Sequence, residues 1–154
     1  MNKTFLASVA TICVLLLAAC SPTSSGALPR ADLQFSIVQQ TPCADCKEME
    51  QAGTHGQVRM FVAPPFAVAQ NVRAIRANSG GGQPFIDFRF APEAADRIEA
   101  ATSRNTGNLV AIVVGNQVLS VTRLAEPFSD SMRMSGLSAE EHRALYFAVI
   151  QPGT

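Results

Sequence analysis

The chain has no tryptophan, one tyrosine and only two histidines, His55 and His142. Neither histidine stands in a nucleophile motif such as G-x-S-x-G, so hydrolase chemistry has little to work with. Charge is as sparse: 16% of the 154 residues are charged, 12 basic against 12 acidic, with no basic run. A net charge of zero removes the electrostatic footprint that nucleic-acid binding needs. Of the four cysteines, Cys13 and Cys20 lie in an N-terminal apolar stretch, leaving Cys43 and Cys46 for the body, too few for a disulfide scaffold. Beyond that stretch long apolar runs are missing too. The longest clean one, Leu109–Val114, is of strand length and far below the roughly 20 residues of a membrane helix. Yet 47% of the chain is apolar, which suits one folded domain and argues against disorder.

What is present begins with a targeting segment. Lys3 precedes the apolar run Phe5–Leu17, which is short for a bilayer span and flanked by small residues, as in a secretory signal over residues 1–19. The run ends in Leu17-Ala18-Ala19-Cys20. These residues resemble the bacterial lipobox, whose cysteine is acylated and becomes the new N-terminus after cleavage. The resemblance implies lipidation at Cys20, palmitate included, and a membrane anchor, since several acyl chains hold far better than one. Ser21 follows, and lipoproteins of this kind in Gram-negative bacteria pass to the outer membrane unless an Asp stands there. Residues 20–31 then read as a flexible tether rich in Ser, Pro and Gly.

From residue 32 the pattern is that of secondary structure. Leu33, Phe35 and Ile37 alternate with polar residues in a strand over 32–39, and Val58, Met60 and Val62 alternate in a second. Val68, Val72 and Ile75 fall at i, i+4 and i+7 and predict a short helix, ended by the glycine loop Gly80-Gly81-Gly82. That loop follows the predicted helix and enters a strand, the wrong order for a phosphate cradle. Ile86, Phe88 and Phe90 share a strand face, and Pro92 with Glu93 opens a helix burying Ala94, Ala95, Ile98, Ala101 and Thr102, closed near Gly107. Leu109–Val114 and Gln117–Leu124 predict a hairpin across Gly115-Asn116. Met132 and Met134 alternate in a further strand, and Ser138 with Glu141 forms a capping box for a last helix over 139–150.

Cys43-Ala44-Asp45-Cys46 is the one chemically suggestive motif. A C-x-x-C can be a redox pair when a helix N-terminus or a cation depresses one thiol pKa. In an exported protein it is more simply a small disulfide pinning a loop between the first two strands. Zinc from Cys43, Cys46 and His55 lacks a fourth ligand. Asp96 with Glu99, and Glu140 with Glu141, lie near Arg97 and Arg143 and read as solvated helix faces. Met132, Met134, Phe85 and Phe128 fit either core or an adaptable apolar surface for extended chains.

Taken in order, the stretch Pro84–Phe88, the helix to Gly107, the hairpin Leu109–Ser120 and the run Met132–Gly136 before a capped helix resemble the head subdomain of the large periplasmic domain of SecD. SecD belongs to the SecDF complex, which assists preprotein export. The resemblance covers residues 58–150 and is strongest over 84–150. It implies an α+β fold, an antiparallel or mixed sheet with two to three helices packed on one face, over residues 32–150. SecD also carries membrane spans for coupling to the proton-motive force, which this chain lacks, so only a binding part carries over. The resulting expectation is a periplasm-facing, lipid-anchored module for protein or unfolded polypeptide, linked to protein export or envelope maintenance. It has no catalytic, cofactor or metal residues and binds no nucleic acid; the alternative is a thiol-disulfide protein using Cys43 and Cys46. Replacing Cys20 by Ser is expected to abolish acylation and release the protein from membranes. Intact-mass analysis of the mature N-terminus checks this, and an unmodified wild-type terminus contradicts it.

Overall fold

A computed structural model describes residues 26–53, 56–78 and 82–151, so the lipobox, His55 and most of the glycine loop lie outside the described residues. The described chain is α+β. Its strands are β1 (Leu33–Gln39), β2 (Lys47–Gly53), β3 (Gly56–Val62), β4 (Ala67–Val68), β5 (Val72–Asn78), β6 (Phe85–Phe90), β7 (Leu109–Val114), β8 (Gln117–Arg123) and β9 (Ser131–Ser135). The helices are α1 (Ala95–Ser103), entered through a 3-10 turn at Pro92–Ala94, and α2 (Ala139–Val149).

These strands make two sheets, one ordered β2-β3-β1-β7-β8 with β4 added to β1, the other β5-β6-β9. Every ladder between them is antiparallel. The larger sheet curls until its edge strands β2 and β8 approach each other. Inside the curl lies a small core of Met60, Val62, Ala111, Val113 and Val118. The other face of the same sheet packs against β5-β6-β9 and both helices, where Leu33, Phe35, Val110, Ile112, Ile86, Phe88, Ile98 and Leu145 share the main core. Strand β7 therefore has no wet face, which is why its sequence is a continuous apolar run and not an alternation. Its hairpin to β8 closes across Gly115-Asn116, and only Gly115 takes a positive φ, +60°.

The central contact is aromatic. Phe35, fully buried, meets Phe88 edge-to-face at 5.1 Å and Phe90 at 5.4 Å, so one ring of β1 touches two of β6. Such pairs add about 0.5–1.5 kcal/mol each beyond the area they bury. Phe90 in turn stacks on Phe128 at 5.9 Å, which also meets Phe66 at 6.1 Å.

Three expectations need correction. The helix predicted over 68–78 is strand β4, one 3-10 turn at Ala69–Asn71, and strand β5. The ladder to β6 shifts register between Val72 and Ala74, and this bulge puts Val72 and Ile75, three residues apart, on one buried face. A bulged strand thus imitates helical spacing. The α+β class with antiparallel strands stands, but the single sheet becomes two, because β6 pairs with β5 and β9 and not with the larger sheet. And the tether expected over 20–31 is docked backbone from Gly26: Ala27 and Ile75 exchange backbone bonds of 2.8 Å, and Pro29 bridges Ile150.

The helix ends follow local chemistry. Ser138 accepts from the Glu141 amide at 3.2 Å and its own amide donates to the Glu141 carboxylate at 2.8 Å, closing the capping box. The Ser138 backbone N–H, and after it the Ser138 hydroxyl, hold the Glu141 carboxyl below its ordinary range. Phe35→Ala is expected to cost about 3–5 kcal/mol, because it opens a cavity where the two sheets meet. A urea titration showing less than about 1 kcal/mol would remove Phe35 from its place as the inter-sheet contact.

Candidate functional site

Cys43 and Cys46 are joined as a disulfide in an exposed turn that the Cys46 amide closes onto the Cys43 carbonyl at 3.1 Å. Strand β2 starts at the next residue, so no helix N-terminus follows the pair to depress a thiol pKa. Strand β2 is itself an addition to the predicted elements: only Met49, opposite Met60, faces the small core, while Glu48 and Glu50 pair with Arg59 at 3.0 and 3.7 Å in solvent. His142 is buried and donates from Nε2 to the Phe85 carbonyl at 2.9 Å, tying α2 to β6. Asp96, Glu99, Glu140 and Glu141 are exposed, as their helix positions imply. Among the described residues no group of three or more His, Cys, Asp and Glu could hold a metal ion.

The structure instead draws together a groove of about 430 Å³ between β9 and the segment that leaves β8. Leu124, Phe128 and Met132 give it apolar walls, with Arg89, Arg123 and Arg133 around them. Phe128 is set by Thr102 on α1, whose fully buried hydroxyl accepts from the Phe128 amide at 3.2 Å and lies 2.9 Å from its carbonyl. Arg123 donates to the Gly107 carbonyl at 2.8 Å, holding the other wall to the start of the hairpin.

Beside the groove lies the one buried carboxylate among the described residues, Asp87 of β6, which alternation should have pointed at solvent. It is covered by arginines: Arg89 on its own strand at 3.1 Å and Arg133 across the ladder at 3.6 Å. The Arg133 guanidinium also sits 4.2 Å over the Phe85 ring. Sequence reasoning missed Asp87. No local signal marked it, since an acid alternating with Ile86 and Phe88 reads as solvent-facing and the partner's register depends on β9.

Strand β9 gives the groove its chemistry. The Phe90 amide donates to the Asp130 carbonyl at 2.8 Å, and these residues stand opposite each other in the β6–β9 register. Hydrogen-bonded pairs alternate along an antiparallel ladder, so Phe88–Met132 and Ile86–Met134 continue the series. The backbone groups of Ser131, Arg133 and Ser135 therefore point away from β6, where no other strand lies among the described residues. They form an open edge along the groove. Of the four residues weighed as an adaptable apolar surface, Met132 and Met134 are buried core, Met132 also bordering the groove, Phe85 lies under Arg133, and half-buried Phe128 lines the groove.

The family model for the SecDF P1 head subdomain matches residues 46–150. No curated protein matches the chain. Among solved structures, a SecDF described as a membrane component that enhances protein export superposes with a TM-score of 0.52 at 21% identity, over 75% of this chain and 60% of that one. The crystal structure of SecDF in a super-membrane-facing form gives 0.52 at 20% identity, over 75% of this chain and 18% of that one. The chain thus spans only part of either protein, and likeness at this identity carries the fold. Asp87→Ala is expected to cost about 1–3 kcal/mol, the usual result of removing a buried charge-assisted partner. A lower urea midpoint with unchanged slope checks it, and an unchanged midpoint removes Asp87 as the support for Arg89 and Arg133.

Proposed function

The chain belongs to the SecDF P1 head subdomain family, and from that premise we propose that it is a non-catalytic binding module, anchored in the cell envelope through Cys20, that holds extended polypeptide during protein export. The observation that carries this reading is the open β9 edge along a groove of apolar walls and charged rim. Unpaired strand amides and carbonyls are satisfied by another extended backbone, whatever its sequence, while side-chain pockets add preference. A module serving many unfolded clients needs that division, since the main chain is the one feature all clients share. Half-buried Phe128 suits the task because its ring offers apolar surface to varied side chains.

The anchored, periplasm-facing placement rests on Leu17-Ala18-Ala19-Cys20, and outer-membrane sorting on Ser21. No helix among the described residues is long and apolar enough to cross a membrane. The Cys43–Cys46 disulfide supports a structural reading: it closes a turn ahead of strand β2, and neither cysteine lines the groove.

A fluorophore-labelled, reduced and alkylated polypeptide, titrated with the full chain and followed by anisotropy, tests the proposal. Ser131→Pro removes one outward-pointing amide at the groove without touching a bond to β6. It is expected to weaken binding about three- to tenfold, the worth of one backbone hydrogen bond, while Ser131→Ala binds as the wild type. Absence of wild-type binding, or a folded Ser131→Pro that binds equally well, overturns the edge-pairing reading. The double variant Cys43→Ser, Cys46→Ser is expected to bind normally and to lose on the order of 2 kcal/mol or less, since a loop this short constrains few unfolded conformations. Turnover of a model disulfide well above free thiol, lost in that double variant, decides for the redox alternative.

A further inference from the structure

The N-terminal segment fixes which side of the domain lies nearest its anchor. Gly26 is pressed against β5 so closely that a Cβ there would fall 2.6 Å from that of Ala74. Ala27 pairs with Ile75, Arg30 donates to the Val149 carbonyl at 2.8 Å, and Gln151 donates to the Leu28 carbonyl at 3.0 Å. The entering chain is thereby locked between the β5 edge and the C-terminal end of α2. Six residue steps separate Gly26 from Cys20, and fully extended they reach at most about 20 Å.

The surface at this end carries exposed apolar side chains next to the Arg30–Asp32 ion pair. Among the described residues the exposed large apolar side chains are Leu28, Val58, Leu109 and Phe147. Phe147 and Leu28 are two of the most open, at 65% and 60%, and both belong to the C-terminal end of α2, one on its last turn and one tied to Gln151. Tyr146 lies against Phe147 with ring centroids 5.7 Å apart. No charged residue follows Arg143 in the described chain, and the acids of α2, Glu140 and Glu141, sit at its far end. Arg73, exposed on the same β5 edge, adds a cation. An aromatic and a leucine, a cation on the neighbouring strand, and no acid on the last two turns of the helix match the interfacial layer of a bilayer.

Resting on the Cys20 anchor, we propose that Leu28 and Phe147 sit in the headgroup layer of the membrane that holds the acyl chains. The N-terminal segment covers the β5 edge of the β5-β6-β9 sheet, and β9 is the opposite edge, about 10 Å across two strand spacings. This seating turns the open β9 edge away from the lipid, toward polypeptide in the aqueous space.

The absence of tryptophan supplies the test. Phe147→Trp, Leu28→Trp and Val58→Trp each give a single-tryptophan full chain, which is recovered from membranes and reconstituted in phosphatidylethanolamine–phosphatidylglycerol vesicles with and without brominated phosphatidylcholine. The expected result is that Trp at 147 and at 28 loses most of its emission to the brominated lipid while Trp at 58 does not. The mass of the N-terminal peptide is read on the same samples. Acylated Cys20 with no quenching at 147 or 28 overturns the inference and leaves the anchor standing; an unmodified Cys20 overturns both. Tryptophans shielded from aqueous iodide yet unquenched by brominated lipid, together with a doubled mass in sedimentation, assign the face to a second copy of the chain and also overturn it.

Discussion

The structure depends on the contact of one ring with two others. Phe35 of β1 is enclosed between the sheets and meets Phe88 and Phe90 of β6 edge-to-face. Both sheets are small, one curled on itself and one of three strands, and neither could bury its apolar face alone. Phe35 makes them one domain. Through Phe90 and Phe128 the same aromatic series reaches the segment that walls the groove, so the site is placed by the core and not by a free loop.

Much of this architecture was legible because its signals are local. The capping box at Ser138, the Gly115-Asn116 turn and the continuous run of β7 each act over a few residues, and each element stands where the pattern put it. Strand β5 was not legible, because a bulge replaces a period of two by a step of three and the step from Val72 to Ile75 then looks helical. Strand β2 failed for another reason. Its sequence is mostly polar, and it becomes a strand because Met49 finds Met60 and the two glutamates find Arg59 across the hairpin.

The groove illustrates the same division. Residue type alone put Met132 and Phe128 forward for an extended chain, but which of the four apolar residues reach the surface depended on pairing across 40 residues of chain or more, and that pairing buries Met132 with Met134. Asp87 was the harder case. Its burial makes sense only once β9 brings Arg133 opposite and Arg89 folds over from its own strand, a constellation of tertiary register with no spacing rule in the sequence. The resemblance to the SecD head, carried by element order, implied the α+β class but not the division into two sheets.

An open strand edge is a liability in any soluble domain, since it pairs as readily with another copy as with a partner. Here the two edges of the three-stranded sheet are treated differently. The edge of β5 is closed by the entering chain through Ala27 and by the close approach of Gly26, which no larger residue permits. The edge of β9 is left open but short, and it carries Arg133 at its centre. A guanidinium there opposes the flat stacking of identical edges, because two copies pairing antiparallel about the strand's midpoint would set the like charges opposite each other. Held by Asp87 and the Phe85 ring, Arg133 cannot simply swing aside. An unfolded client brings no such charge in fixed register. The same residue thus separates self-association from binding to other chains, and it does so through electrostatic register and not through shape.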